Sequence, residues 1–309
     1  MVFNLSQTTW TFSLAILMLG LSAGFLGSFA EKIGPKKSGL LAMLFWVAGL
    51  FGTAYALSIH SLTLLYLFYG IIGGIGLGIG YITPVSTLVK YFPNRPGFAT
   101  GLAIMGFGFA ALIAGPLMQY LVAHVGLVNN FIILGITYLI VMSASSLYLK
   151  VPTPKEPTRS NQDKSTMYVH NHGMLANDAM KTWQFSALWW VFFVNITCGI
   201  GLLSLASPMA QETISMTPAA AASLVGIIGI FNGGGRIVWS TISDFLGRAQ
   251  TYILFFIMEI IAFYLLSQTN SALTFQILIL LIITCYGGGF SCMPAYLADL
   301  YGIRQLSTI

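Results

Sequence analysis

Long apolar runs, many of 20 or more residues, follow one another along the whole chain, each closed by a short polar or charged break. A run of about 20 apolar residues matches the hydrocarbon thickness of a bilayer when it is helical. Nine spans are predicted on this pattern, at approximately 10–30, 38–58, 62–89, 98–123, 127–149, 183–208, 218–246, 251–268 and 272–298. The alternating segments of about 10 residues that build a transmembrane β-barrel do not occur. The fold class expected is therefore all-α, a polytopic membrane protein. One segment breaks the rhythm. Residues 151–182 carry three prolines and few apolar side chains, a composition that does not bury enough surface to order itself. The chain is thus divided into an N-terminal helical bundle of five spans (1–150), a cytoplasmic linker (151–182) and a C-terminal helical bundle of four spans (183–309).

Composition agrees: 57% of the 309 residues are hydrophobic and 7% are charged, where a soluble domain carries about 25% charge. The net charge of +5 does not indicate nucleic acid, because the basic residues are not gathered into a patch. Of 13 lysines and arginines, 12 lie in every second break, and the remaining one is Arg236. The positive-inside rule places those basic breaks in the cytoplasm. The N-terminus is then outside and the C-terminus cytoplasmic, in a cell (inner) membrane. The first span has no basic region before it and does not read as a cleavable signal peptide. Cys198, Cys285 and Cys292 lie inside apolar runs, which argues for buried small side chains and against a disulfide framework. No metal site is expected from them, nor from His170, Asn171 and His172 in the linker. No cofactor is expected.

The two halves repeat. Glu31 and Asp244, and likewise Gly34 and Gly247, are 213 residues apart, and Pro84 and Pro294 are 210 apart. A parallel internal repeat is the architecture of many secondary transporters. The first of these stretches, with Gly27, Glu31, Lys32, Gly34, Lys36 and Lys37, resembles the signature loop of the major facilitator superfamily. Three longer stretches, at 69–108, 181–212 and FNGGGRIVWSTISDFLGR at 231–248, resemble the oxalate/formate antiporter family within it. The second copy of the loop departs from the pattern, with Ser240 where glycine is usual and Phe245 where a base is usual. The resemblance implies a two-bundle fold of twelve helices, of which the nine spans correspond to the second through the tenth. By that correspondence, the family's first and last two helices, with a basic residue on the eleventh that shares in the substrate site, are expected to have no counterpart here.

Arg236 stands about 18 Å from Arg248 along its helix, at 1.5 Å per residue over twelve residues, which puts it near mid-membrane. An arginine there costs at least about 2.5–3.5 kcal/mol by insertion scales, so it requires a partner or a water-filled cavity. Its planar fork suits a carboxylate. Two readings follow. Either Arg236 receives a small organic anion, or it pairs with Glu259, the one acid deep in a span. The resemblance favours the first, because an arginine at this place in the family's eighth helix binds the carboxylate substrate. Asn232 shares its face four residues earlier. Gly233, Gly234 and Gly235 clear space for a neighbouring helix or a ligand. Tyr286 and Phe290 share a face of the last span; the resemblance implies aromatic closure around a planar anion, and ordinary packing is the alternative. Tyr81 is open to the same two readings.

Gly70, Gly74 and Gly78 follow the four-residue spacing of tandem small-residue helix packing. No G-x-G-x-x-G nucleotide loop is present. Gly27, Glu31, Lys32, Gly34, Lys36 and Lys37 with Asp244, Gly247 and Arg248 read as a gate whose charge pairs break on alternating access, or as a topology signal, or both. Mid-span histidines are absent, and Glu259 falls on a helix that is peripheral in the superfamily, so neither is expected to carry protons. The function expected is secondary transport of a small carboxylate such as oxalate, formate or pyruvate, not enzyme catalysis, by a monomer in the lipid bilayer. A membrane anion sensor without transport, or an inactive fragment of a truncated transporter gene, is the alternative.

Overall fold

A computed structural model describes residues 5–92, 95–150 and 174–302. The His170–His172 tract and most of the expected linker lie outside the described residues. The helices are α1 (Leu5–Ile33), α2 (Pro35–Ser58), α3 (Leu62–Tyr91), α4 (Pro96–Tyr148), the short α5 (Ala176–Ala179), α6 (Trp183–Ile214), α7 (Pro218–Leu246), α8 (Arg248–Gln268) and α9 (Ala272–Tyr301). Helix α4 is two helices meeting at Gly126, whose φ of 81° and ψ of 168° are not helical. Among the described residues, seven helices are long and apolar enough to cross a membrane. Division of α4 at Gly126 and inclusion of α7 fill all nine spans expected from the pattern. Helix α7 is not among the seven; its polar Asn232, Arg236 and Ser240 face the protein interior.

Helix ends follow local chemistry. Ser61, Thr182, Thr217 and Ser271 each accept a backbone N–H at the start of the following helix, satisfying donors that have no intrahelical partner. Pro35 and Pro218 occupy the first turn, where a missing N–H is harmless. The repeat is visible in the backbone. Gly34 has φ 83° and ψ 160°, and Gly247 has φ 97° and ψ 148°. Both conformations belong to a region that side-chain-bearing residues rarely enter, so glycine fixes the same sharp helix-to-helix junction in each half. The charges expected in a loop around Gly34 are largely helical: Glu31 and Lys32 end α1, and Lys36 and Lys37 begin α2.

The chain forms two compact units. Among the described residues, the first comprises 5–90 and 116–150, and the second 91–92, 95–115 and 174–302. The start of α4 therefore packs with the second unit, although it precedes the linker. In the first unit, α3 lies against α1 and α2. Gly70, Gly74 and Gly78 face α1: a Cβ on Gly74 would lie 2.7 Å from the Ala15 carbonyl oxygen, and Ser22 Oγ donates to the Ile75 carbonyl at 3.3 Å. The four-residue glycine spacing thus lets two backbones touch, with α3 adopting a π-helical stretch over Tyr66–Gly73. In the second unit α6, α7, α8 and α9 share a buried apolar cluster including Leu202, Leu224, Ile228, Phe275 and Ile279.

Substitution of Gly74 by leucine is expected to lower stability by about 1–3 kcal/mol through overpacking. Gly24→Leu, at an exposed position whose Cβ meets nothing within 4 Å, should leave it within about 0.5 kcal/mol. Thermal unfolding of the purified variants measures both.

Candidate functional site

Arg236 is 4% exposed on α7. Its Nε donates to Asn232 Oδ1 at 3.3 Å, one turn earlier, and its Nη1 donates to the Ile104 carbonyl of α4 at 3.3 Å. The guanidinium lies 5.1 Å from the ring centroid of Phe290 on α9 and 6.0 Å from that of Phe107 on α4. Each contact sets a cation against a ring face, worth about 0.5–2 kcal/mol. The backbone of Arg236 is bound as firmly as its side chain. Its carbonyl oxygen accepts from Ser240 Oγ on its own helix and from Ser291 Oγ of α9 at 2.8 Å. Thr100 Oγ1 of α4 donates in turn to the Ser291 carbonyl at 2.7 Å. Three helices are thus pinned around one residue.

The three glycines have separate tasks. Gly235 packs on α9, where an added Cβ would fall 2.7 Å from the Thr284 carbonyl oxygen. Gly233 packs on Phe109 and Gly108 of α4, and Gly234 meets nothing within 4 Å. On α9, Tyr286 is buried, with its ring against Gly199 of α6, and its centroid is 6.3 Å from that of Phe290. Phe192 of α6 stacks edge-on to Phe290 at 5.3 Å. The second unit therefore brings together Arg236, Asn232, Tyr286 and Phe290. Tyr81 belongs to the first unit, on α3. The alternative partner of Arg236 is otherwise engaged: Glu259 Oε1 accepts from Asn195 Nδ2 of α6 at 3.2 Å.

Sequence reasoning did not identify Phe107, Phe192, Ser291 or the Ile104 carbonyl. Phe107 and Ile104 stood in the apolar stretch of a span with nothing to set them apart, and a backbone carbonyl leaves no signal in a sequence.

The acids at the helix junctions, Glu31 and Asp244, are each paired within their own unit. In the first, Lys90 of α3 binds Glu31 of α1 at 2.7 Å, lining a small cavity with Pro35, Thr83, Ser86 and Thr87. In the second, Arg248 binds Asp244 at 2.6 Å and Asp299 of α9 at 2.8 Å, and also reaches Ser243. Asp244 accepts in addition the backbone N–H groups of Gly97 and Phe98, both at 2.9 Å. It thereby caps α4 from another helix and places a negative charge at the positive end of the helix dipole. Lys90 was legible only as one of the topological charges, and Asp299 carried no signal at all.

Fold and site together define a class: a multi-pass helical membrane protein, with a charged helix junction repeated in its two halves and an arginine buried among aromatic rings. The chain matches the model of the Major Facilitator Superfamily over residues 2–309 and belongs to that superfamily of transporters. It is 26% identical over 303 residues to the uncharacterized MFS-type transporter YhjX of Escherichia coli (strain K12), covering 98% of this chain and 73% of that protein. It is 26% identical over 301 residues to the oxalate:formate antiporter of Oxalobacter formigenes, covering 96% and 68% respectively. The solved structure of the MFS proton:xylose symporter XylE bound to 6-bromo-6-deoxy-D-glucose has a TM-score of 0.65 at 14% identity, over 98% of this chain and 75% of that one. This last likeness is one of fold.

Removal of Arg248 leaves two acids without their base, one of them buried. We expect Arg248→Gln to cost about 3–5 kcal/mol, the range for breaking a buried pair from one side. Lys90→Gln, at a partly exposed pair, should cost about 1 kcal/mol or less. Chemical unfolding in detergent would rank them.

Proposed function

We propose that this chain is a secondary transporter of small organic anions, with Arg236 as the cationic anchor, and that oxalate, formate or a similar carboxylate is its substrate. The observation that carries the reading is the placement of Arg236: a permanent positive charge, buried mid-helix, with its fork held by Asn232 and its face against Phe290. A guanidinium can meet a carboxylate with two parallel N–H donors. Aromatic walls lower the local dielectric and strengthen that pairing. Tyr286 sits beside Phe290 and extends the wall. The oxalate:formate antiporter among the relatives supports a carboxylate as cargo. Tyr81, on α3 of the first unit, is assigned as a further substrate-binding residue. Glu31, paired with Lys90, and Asp244, paired with Arg248, are assigned to the cytoplasmic gate of alternating access. Lys32, Lys36 and Lys37 set the cytoplasmic side, with the N-terminus outside and the C-terminus inside, and the chain works as a monomer in a cell membrane.

Uptake of labelled oxalate and formate into proteoliposomes tests the anchor. Arg236→Gln is expected to lower uptake at least 100-fold, the scale of losing a charge-assisted bidentate contact of about 3 kcal/mol. Uptake that survives the substitution overturns the reading. Wild-type anion binding without uptake would identify a sensor in place of a transporter, and neither binding nor uptake an inactive fragment.

Topology has its own test. A cysteine at Asn270 should react with an impermeant maleimide from outside the cell, and one at Gln250 only after permeabilisation. The reverse pattern would invert the proposed orientation.

A further inference from the structure

Glu259 and Asn195 form a polar pair where the packing pattern calls for apolar side chains. On α8, Glu259 shares the buried face of Tyr252, Phe255, Ala262 and Leu266. On α6, Asn195 lies midway between the buried Leu188 and Leu202. The pair sits at the seam between the two apolar clusters of the second unit. Glu259 is 3% exposed and Asn195 0%. Apart from the contact of Asn195 Nδ2 with Glu259 Oε1 at 3.2 Å, the remaining polar atom of each, Glu259 Oε2 and Asn195 Oδ1, has no hydrogen-bond partner. Asn195 Oδ1 is aimed at Gly289 of α9, where any Cβ would collide with it.

Both orphaned atoms are acceptors, so the site lacks a donor. The neighbouring groups do not supply a positive charge. Titratable groups facing Glu259 are Cys198 from α6 and Cys285 from α9. On α8 itself, Tyr252 donates its hydroxyl to the Gly289 carbonyl at 2.6 Å. From α7, Trp239 packs on Phe255, and Arg236 is turned to Asn232, Ile104 and Phe290. A buried carboxylate held by one neutral amide, with no cation in contact, is strongly disfavoured in a low-dielectric interior. A proton on the carboxyl removes the charge and supplies the missing donor.

We propose that Glu259 is a buried proton-binding site of the second unit, built by Asn195 and the side-chain-free wall at Gly289, and that its proton leaves only when α6, α8 and α9 part. On release, the O–H bond of the carboxyl breaks, the electron pair stays on Glu259 Oε2, and the proton passes to a water admitted between the helices. The site touches the anion cradle through α9, where Gly289 faces Asn195 and the next residue, Phe290, faces Arg236, and through α6, where Phe192 packs on Phe290. The inference rests on the packing of the second unit and not on the identity of the anion.

Infrared spectroscopy of the full chain in liposomes at neutral pH tests it. The wild type should show the carbonyl stretch of a protonated carboxylic acid. Glu259→Gln should lose that band, and Asn195→Ala, which keeps the carboxyl and removes its amide partner, should shift it. A wild type without the band, or a band unchanged in both variants, overturns the proposal. If Glu259→Gln loses its helical circular dichroism, the Asn195→Ala shift decides alone. Transfer to deuterated buffer should move the band slowly, at the rate of helix opening; a shift complete within the mixing time refutes the link to opening. Oxalate binding measured on the same samples separates the two readings. Binding abolished by Arg236→Gln with no carboxylic band would refute the proton site only, and a band without Arg236-dependent binding would refute the anion anchor only.

Discussion

Charge inside a membrane-spanning helix has to be met by the protein, because the hydrocarbon offers nothing to meet it. Much of the second unit is organised around that requirement. Arg236 reaches α4 through the Ile104 carbonyl and α9 through Phe290, and its own carbonyl is held by Ser291. Those contacts require three helices to run close together, and glycine makes the approach feasible: Gly235 against Thr284, Gly233 against Gly108, Gly287 against the Asn232 carbonyl. An alanine-rich helix in place of FNGGGR would separate the backbones and leave the guanidinium without its partners.

The same requirement acts at the helix ends with different currency. Each unit bends its chain sharply at a glycine, Gly34 or Gly247, and places an acid three residues before it. In the first unit the acid meets Lys90 from α3; in the second it meets Arg248 and the first backbone N–H groups of α4. The second junction is the more buried and carries more hydrogen bonds. Its extra base-to-acid contact, Arg248 with Asp299, ties in α9 as well. The repeat therefore preserves backbone geometry more strictly than it preserves side-chain pairing. A positive φ tolerates few residues other than glycine, whereas an acid can be neutralised from several directions.

Much of the fold was legible along the chain. Runs of apolar residues gave nine spans, and the helices occupy them. The ends differ by a few residues because charged side chains such as Glu31 and Arg248 continue the helix beyond the apolar run. Gly70, Gly74 and Gly78 announced a close helix contact and make one with α1. Arg236, Asn232, Tyr286 and Phe290 were each marked, by charge in an apolar run or by spacing, and they meet in one unit. The partners that hold them were not legible. Phe107 looks like any apolar residue of its span, and Ile104 contributes only a backbone oxygen.

By itself the sequence determined that the chain is helical and membrane-spanning, where its helices turn, and that one arginine lies at a depth topology does not explain. These are local properties, set by run length, glycine and proline positions and the cost of placing charge in hydrocarbon. Tertiary structure alone decided which groups face one another. It turned Glu259 to Asn195 and away from Arg236, sent the first part of α4 to pack with the second unit, and gave Arg248 two acids in place of one. Pairings of that kind depend on helix rotation and on contacts between residues from 51 to 147 positions apart, for which a linear pattern holds no record.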